Sequence, residues 1–138
     1  MRNITVAITV DDKMGLAFNK RRQSRDKLLI ADLCNKTDGT VYVSPYSAPL
    51  FDEHPDRIAV VENPLKDCPD DGCCFVEMTQ LGESIADVSR LIVYHWNRHY
   101  PSDKKLDIDP ASCGFKMTAK YEFVGNSHDK ITKGIYEK

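Results

Sequence analysis

A run of seven residues, Ile-Thr-Val-Ala-Ile-Thr-Val at positions 4–10, constrains the fold of this chain more than any other feature. It is β-branched at every position but Ala7, and no charged residue interrupts it. Such a run is typical of a strand that is buried on both faces, as in the sheets of α/β proteins. The sequence therefore predicts a well-buried strand near the start of the chain.

The remaining segments predict a sheet around that strand. Further strands are expected at 40–43, 57–61, 73–78 and 90–96, followed by an antiparallel hairpin of 115–124 and 131–136. A helix capped by Ser24, with Asp26 in its first turn, is expected after the first strand, and a short helix is expected at 82–89. Strand–helix–strand order early and strand–strand order late predict one α/β domain over residues 1–138. Its sheet is expected to be mixed and mostly parallel, flanked by few helices, with a C-terminal antiparallel hairpin.

The charge balance limits the kinds of partner. Nineteen Lys and Arg residues against 21 Asp and Glu residues give a net charge of −2, which argues against a protein whose whole surface binds nucleic acid. The chain has no visible signal peptide and no apolar run approaching the roughly 18 residues of a membrane span. These features predict a cytoplasmic protein that does not act at a membrane, and they leave its oligomeric state open.

The cysteines favour reduced thiols. There are five, an odd number without a secretory signal, and the only cluster is Cys68, Cys73 and Cys74. Adjacent strand residues face opposite sides of a sheet, so Cys73 and Cys74 do not converge easily on one ion. We therefore predict buried thiols and no metal site.

Several segments follow one another in an order that resembles that of a known family. Asp12-Lys-Met-Gly-Leu-Ala-Phe-Asn19 follows the first strand, Arg90-Leu-Ile-Val-Tyr-His95 precedes Tyr100-Pro101, and Ile135-Tyr-Glu-Lys138 closes the chain. These segments resemble dihydrofolate reductase, and the resemblance implies a dihydrofolate reductase-like fold with a ligand cleft. It places Asp26 at the family's catalytic-site acid, which assists protonation of the pterin ring. It also places Ser47 near the hydroxyl residue that helps bind the cofactor phosphate.

Three features differ from that family's pattern. Val76 and Glu77 lie where the family has adjacent glycines that let a nicotinamide cofactor approach the sheet. Arg21-Arg22 replaces the proline–aromatic pair of the substrate loop, and the stretch between Val61 and Cys73 is too short for the family's extra strand and cofactor-side helix. We therefore expect a dihydrofolate reductase-like fold that holds no cofactor.

A second resemblance covers nearly the full length. Segments 21–26, 74–77, 96–101 and 127–132 are similar to those of a group of small Firmicute proteins that often carry the name ribonuclease Z. True ribonuclease Z is a metallo-β-lactamase-fold hydrolase with a His-x-His-x-Asp-His zinc motif. The four histidines of this chain include no His-x-His pair, so the zinc chemistry that the name implies is not expected.

A dense basic stretch precedes the first predicted helix. Lys20, Arg21, Arg22, Arg25 and Lys27 put five positive charges in eight residues. Because guanidinium groups bind phosphates and carboxylates in a fork, the stretch predicts an anion site. A solvated surface loop is the alternative. Asp26, within the stretch, either takes part in catalysis or simply stabilises the helix start or pairs with Arg22.

Two motifs near strand ends carry further candidates. Trp96 and Arg98 are able to stack on a ring and hold a phosphate, or Trp96 is a half-buried residue at the end of the sheet. Ser127-His128-Asp129 contains the residue types of a nucleophilic triad, but consecutive residues rarely reach triad geometry. His128 is instead a candidate for a lone general acid or base.

Glu77 interrupts an otherwise apolar strand, Cys73-Cys-Phe-Val-Glu-Met78. If it is buried, it needs a cation, and Arg22, Arg25 or Arg98 is able to supply one. Such a buried pair would make its site the best functional candidate. The alternative is that Glu77 lies at the solvent end of the strand.

Together these features predict a protein that binds an anionic or nucleotide-like small molecule in a reductase-type cleft. The binding residues are expected to be Arg21, Arg22, Arg25, Ser47, Glu77, Trp96 and Arg98. One alternative is a phosphodiesterase or nuclease in which His128 is the catalytic base, the arginine cluster stabilises the phosphate charge and RNA is the partner. The other is a degenerate oxidoreductase. Convergence of Asp26, Glu77 and His128 on the arginines would favour catalysis, and dispersion would favour binding.

Overall fold

The protein is described by a computed structural model over residues 2–138. In chain order the strands and helices are β1 (Ile4–Val10), β2 (Gly15–Phe18), β3 (Arg21–Arg22), α1 (Lys27–Lys36), β4 (Val41–Val43), β5 (Ile58–Val60), α2 (Pro64–Asp67), β6 (Cys73–Val76), β7 (Val88–His95), β8 (Lys104–Lys105), β9 (Lys116–Phe123) and β10 (Ile131–Glu137). Short 3-10 turns occupy Ala48–Phe51, Pro55–Arg57, Ile85–Asp87 and Pro110–Cys113.

Seven strands form one sheet in the order β5-β4-β6-β1-β7-β10-β9. The five strands from β5 to β7 are parallel to one another, whereas β10 is antiparallel to both β7 and β9. A small second sheet has the order β3-β2-β8. The predicted α/β domain, with a mostly parallel sheet and a C-terminal antiparallel hairpin, is thus confirmed.

Strand β1 is the centre of the sheet, hydrogen-bonded to β6 on one side and β7 on the other. All of its residues but Thr5 are buried. Val6 and Ile8 belong to the apolar core on one face, and Ala7 belongs to the core that includes α1 on the other. This two-sided burial explains why the run at 4–10 has no polar alternation.

Helix α1 covers one face of the sheet with Leu29, Ile30, Leu33 and Cys34. The prediction that Ser24 caps it was wrong. The N-cap is Asp26, whose carboxylate accepts the N–H groups of Leu28 and Leu29. A carboxylate at the N-cap satisfies free N–H donors and interacts favourably with the positive end of the helix dipole, which makes Asp26 the stronger cap here.

Several element boundaries differ from the predictions, each for a local reason. The predicted helix at 82–89 is only a 3-10 turn, Ile85–Asp87, because Val88 already pairs with β1. Strand β6 ends at Val76 rather than at residue 78. The next residue, Glu77, lies outside the strand, and its carboxylate binds Arg22. Residues 64–72, for which no strand or helix was predicted, contain the single helical turn α2. No helix within residues 2–138 has the length and apolar character needed to span a bilayer.

All five cysteines are free thiols. Cys73 and Cys74 lie on opposite faces of the sheet, as predicted. Cys74 packs in the core of one face and Cys73 in the core that includes α1. Burial raises the pKa of the Cys73 thiol to about 11. Cys34 and Cys68 are also buried, and Cys113 is half-buried.

These exposures predict the reactivity of the thiols. Because a thiolate must form and be reached, we expect Ellman's reagent to modify Cys113 first in the native protein. The four buried thiols should react only after unfolding in guanidinium chloride. A Cys113→Ser variant should lose the fast phase and keep the slow one. Rapid modification of all five thiols in the native wild type would contradict this assignment.

Candidate functional site

The candidate site lies where the parallel strands end. Strands β1, β6 and β7 run in the same direction, so the residues that follow them lie along one edge of the sheet. These are Asp11, Glu77 and Trp96. In open α/β sheets, ligands bind at this carboxyl edge.

Residues 22–26, which we call the edge segment, are held against that edge by their side chains. Arg22 binds Glu77 after β6, Gln23 binds Asp11 after β1, and Ser24 binds His128, which precedes β10. The segment predicted to be a basic loop therefore contacts residues at the ends of three strands, β6, β1 and β10. Most of its side chains bind the protein itself.

Asp26 and His128, the two predicted catalytic residues, lie together at the end of this segment. The His128 Nδ1 is 2.9 Å from the Asp26 Oδ2. The two side chains are 1% and 0% exposed. Sequence reasoning nominated each residue separately and did not foresee their contact.

The Asp26 carboxylate accepts hydrogen bonds from two segments, the first turn of α1 and the loop at 126–128. The donors are the N–H groups of Leu28, Leu29, Asn126 and Ser127, the Ser127 hydroxyl and His128 Nδ1. Burial alone would raise the pKa of Asp26, but these donors outweigh it and lower that pKa to about 2. Gly125 permits this approach, since a Cβ there would overlap the carboxylate. Asp26 is therefore a stable anion at neutral pH.

The imidazole of His128 is fixed on every side. Trp96 stacks on it at 4.6 Å between ring centroids, with 22° between the planes. Because the Asp26 carboxylate accepts from Nδ1, that nitrogen carries a proton. In the neutral ring, Nε2 is then an acceptor, and the hydroxyls of Ser24 and Tyr100 lie 3.1 and 3.0 Å from it. The Trp96 ring is 3% exposed and stacks on protein.

Glu77 is buried and paired with an arginine. Such a buried pair was the best functional candidate predicted from the sequence. Its carboxylate accepts two hydrogen bonds from Arg22, at 2.7 and 3.2 Å, and one from the Ser47 hydroxyl at 2.7 Å. The guanidinium lies over the Tyr46 ring, 4.4 Å from its centroid. Glu77, Ser47 and Arg22 thus form a closed network within the protein.

Two polar residues of this edge were not among the predicted site residues. Asp11 is 1% exposed and accepts the N–H groups of Lys13, Gly15 and Tyr100. Burial would raise its pKa, but these N–H donors and Gln23 lower it. Tyr100 bonds to His128. The signal for Asp11 is its position immediately after a buried strand.

The other predicted binding residues lie outside these networks. Arg21, Arg25 and Arg98 are exposed, and within residues 2–138 none of them forms an ion pair. The acids Asp26 and Glu77 and the base His128 therefore do not converge on one arginine cluster. This dispersion is the arrangement that favours binding over phosphate chemistry at the basic stretch.

A cleft of about 300 Å³ opens beside the start of α1. The edge segment and α1 form one wall and the turn at Ala48–Phe51 forms the other. The lining residues are Arg25, Asp26, Lys27, Ile30, Pro49, Leu50, Asp52, Glu53 and His54. Lys27 is paired with Glu53 across the cleft at 3.3 Å.

A larger cavity, about 760 Å³, lies on the α1 face near the opposite end of the sheet. Its floor includes Thr5, Cys73 and Ile92, and Arg90 and Asp38 lie around it. Lys133 lines it but is paired with Asp32 at 2.8 Å. Its size favours this cavity as the ligand-binding site, whereas the position at the carboxyl edge of the parallel strands favours the cleft.

No three His, Cys, Asp or Glu side chains within residues 2–138 are grouped closely enough to hold a metal ion.

Comparison with known proteins supports the fold. No family model matches the sequence, and no curated protein is similar to it in sequence. Among solved structures, a dihydrofolate reductase from Enterococcus faecalis, complexed with NADP(H) and RAB-propyl, superposes with a TM-score of 0.66. The alignment covers 98% of this chain and 95% of that chain, at 10% identity. The chain has a dihydrofolate reductase-like fold. At this identity the likeness shows the fold alone.

Proposed function

We propose that this protein binds an anionic, nucleotide-like small molecule in the cleft between α1 and the turn at Ala48–Phe51. The observation that carries the proposal is the exposed Arg25 guanidinium at a cleft of about 300 Å³. That volume is at the lower end of the range for small-molecule sites. The position, beside the carboxyl edge of a parallel sheet, is where such folds bind ligands.

The charged residues of the cleft indicate that the anionic group of the ligand binds beside Arg25. Lys27 is engaged with Glu53, and Asp26 is buried under its own hydrogen bonds. The start of α1 offers little to an anion, because Asp26 and Asn126 already accept the N–H groups of Leu28, Leu29 and Lys27. Ile30, Pro49 and Leu50 supply an apolar wall for the body of the ligand.

A nicotinamide-dependent reductase is less well supported than a binder. The network of Arg22, Ser47 and Glu77 holds a carboxylate at the end of β6. By the family resemblance this is where a glycine pair admits the cofactor. A nuclease is also less well supported, since His128 and the exposed arginines do not share one cluster.

Binding should be tested with adenosine monophosphate, NADPH and folate by thermal shift and calorimetry. We expect the monophosphate to stabilise the wild type, and we expect Arg25→Ala to weaken its binding by about tenfold or more, equivalent to about 1.4 kcal/mol for the loss of a charged hydrogen bond. Arg90→Ala is the matched control, because Arg90 is an exposed arginine of the larger cavity. Equal loss in both variants, or no stabilisation by any of the three compounds, would contradict the proposal. Stabilisation by NADPH alone would favour the reductase.

A further inference from the structure

Three residues at the edge of the sheet form a continuous hydrogen-bonded chain. The Ser24 Oγ is 3.1 Å from the His128 Nε2, and the His128 Nδ1 is 2.9 Å from the Asp26 Oδ2. Ser24 and His128 are 104 positions apart in sequence, and Asp26 and His128 are 102 apart. The serine bonds to one ring nitrogen and the carboxylate to the other, which is the connectivity of a nucleophilic triad.

The orientation of the imidazole suits this role. The Asp26 carboxylate holds the proton on Nδ1, so the neutral ring presents a lone pair on Nε2 toward Ser24. Trp96 stacks on the ring and prevents it from turning. The carboxylate is fixed by backbone N–H groups from both α1 and the loop before β10. The base is therefore preorganised by three separate elements.

The nucleophile is the accessible member of the three. The side chains of His128 and Asp26 are sealed, at 1% and 0% exposure, whereas Ser24 is half-buried. Arg25, the next residue, lines the cleft. Ser24 is therefore the member of the three that keeps contact with solvent.

We propose that Ser24 is a nucleophile, activated by His128 and Asp26, for acyl transfer from small carboxylic esters. This proposal is independent of which ligand the cleft binds.

The chemistry balances with water as the second substrate. The Ser24 Oγ attacks the ester carbonyl carbon while its proton passes to His128 Nε2. The tetrahedral intermediate then breaks the bond to the alcohol oxygen, which takes the proton from Nε2 and leaves as the free alcohol. Water attacks the acyl-Ser24 ester by the same route, releasing the carboxylic acid and restoring the serine.

Tyr100 is a second hydroxyl on the same nitrogen. Its oxygen is 3.0 Å from His128 Nε2, and one lone pair accepts one strong hydrogen bond at a time. Tyr100 therefore competes with Ser24 for the base. Removing the Tyr100 hydroxyl should leave Ser24 as the sole donor.

The test is covalent labelling with an alkyl fluorophosphonate, which forms an O–P bond to an activated serine as fluoride leaves. The wild type should gain one adduct, located on Ser24 by peptide mass spectrometry. Ser24→Ala should reduce labelling by at least about a hundredfold, in line with the loss of a triad member. Because that variant keeps the contacts between His128 and both Asp26 and Tyr100, it should remain folded by circular dichroism.

Two further variants sharpen the result. Ser112→Ala is the control, since the Ser112 hydroxyl donates to the carboxylate of Asp109 at 3.0 Å without an intervening imidazole; its labelling should equal that of wild type. Tyr100→Phe should label Ser24 at least as fast as wild type. An adduct on Tyr100, equal labelling of Ser24→Ala, or no adduct while a serine esterase in the same tube is fully labelled would overturn the proposal.

Discussion

Asp26→Ala is expected to lower the free energy of unfolding by about 4 kcal/mol. The variant loses an N-cap, worth about 1 kcal/mol. It also leaves the N–H groups of Asn126 and Ser127 and the Nδ1 proton of His128 without their acceptor in a buried site. Each unsatisfied buried donor costs about 1–3 kcal/mol, partly relieved by entry of water. Urea unfolding followed by circular dichroism measures the change.

Asp109→Ala provides the control for the capping contribution. Asp109 also caps a helical turn, accepting the N–H of Ala111, but it is exposed and has no histidine partner. It should cost about 1 kcal/mol or less. Similar costs for the two variants would mean that Asp26 is only a cap and that its contact with His128 contributes nothing.

The pKa of Asp26 predicts how the stability of the protein depends on pH. In the folded protein this pKa, about 2, lies below the ordinary value of 3.8, so the folded state favours the charged form. This contribution, about 2 kcal/mol, is complete above the ordinary pKa and is lost as the pH falls through about 2. Asp26→Ala should therefore lose less stability than the wild type between pH 4 and pH 2.

The sheet was predictable because its signals are local. The β-branched run at 4–10 gave the central strand, and the two late strands gave the hairpin, since burial on one or both faces determines the residue pattern within each strand. The helix cap was predicted at Ser24 instead of Asp26. Both residues are good caps, and the choice depends on the loop before β10, which is distant in sequence.

The candidate site was predictable residue by residue but not as an arrangement. Asp26 and His128 were nominated for different reasons, and a contact across about a hundred positions leaves no periodicity to detect. Ser24, Asp11 and Tyr100 were not predicted as site residues, because their roles come only from their partners. For Trp96 the sequence left two interpretations, and its ring is stacked on His128 inside the protein. An aromatic ring at a strand end looks the same in sequence whether a ligand or a histidine covers it.

The Glu77 network leads to the second large expected effect. Arg22→Ala should lower the free energy of unfolding by about 3 kcal/mol, because it leaves a carboxylate that is 5% exposed with only the Ser47 hydroxyl as a partner. Glu77→Gln should cost only about 1 kcal/mol. The Arg22 side chain is 23% exposed, so its charge stays in contact with water, and it keeps its position over Tyr46.

The double variant Arg22→Ala, Glu77→Gln decides whether the buried charge is the cause. Without a charge at residue 77, removal of the Arg22 guanidinium no longer leaves a buried carboxylate without a cation. The double variant should therefore be more stable than Arg22→Ala alone, at a total cost of about 2 kcal/mol. Urea unfolding of all four proteins at pH 7 gives the cycle. Strictly additive costs, about 4 kcal/mol in the double variant, would show that Arg22 stabilises the edge segment through its packing on Tyr46 and not through Glu77.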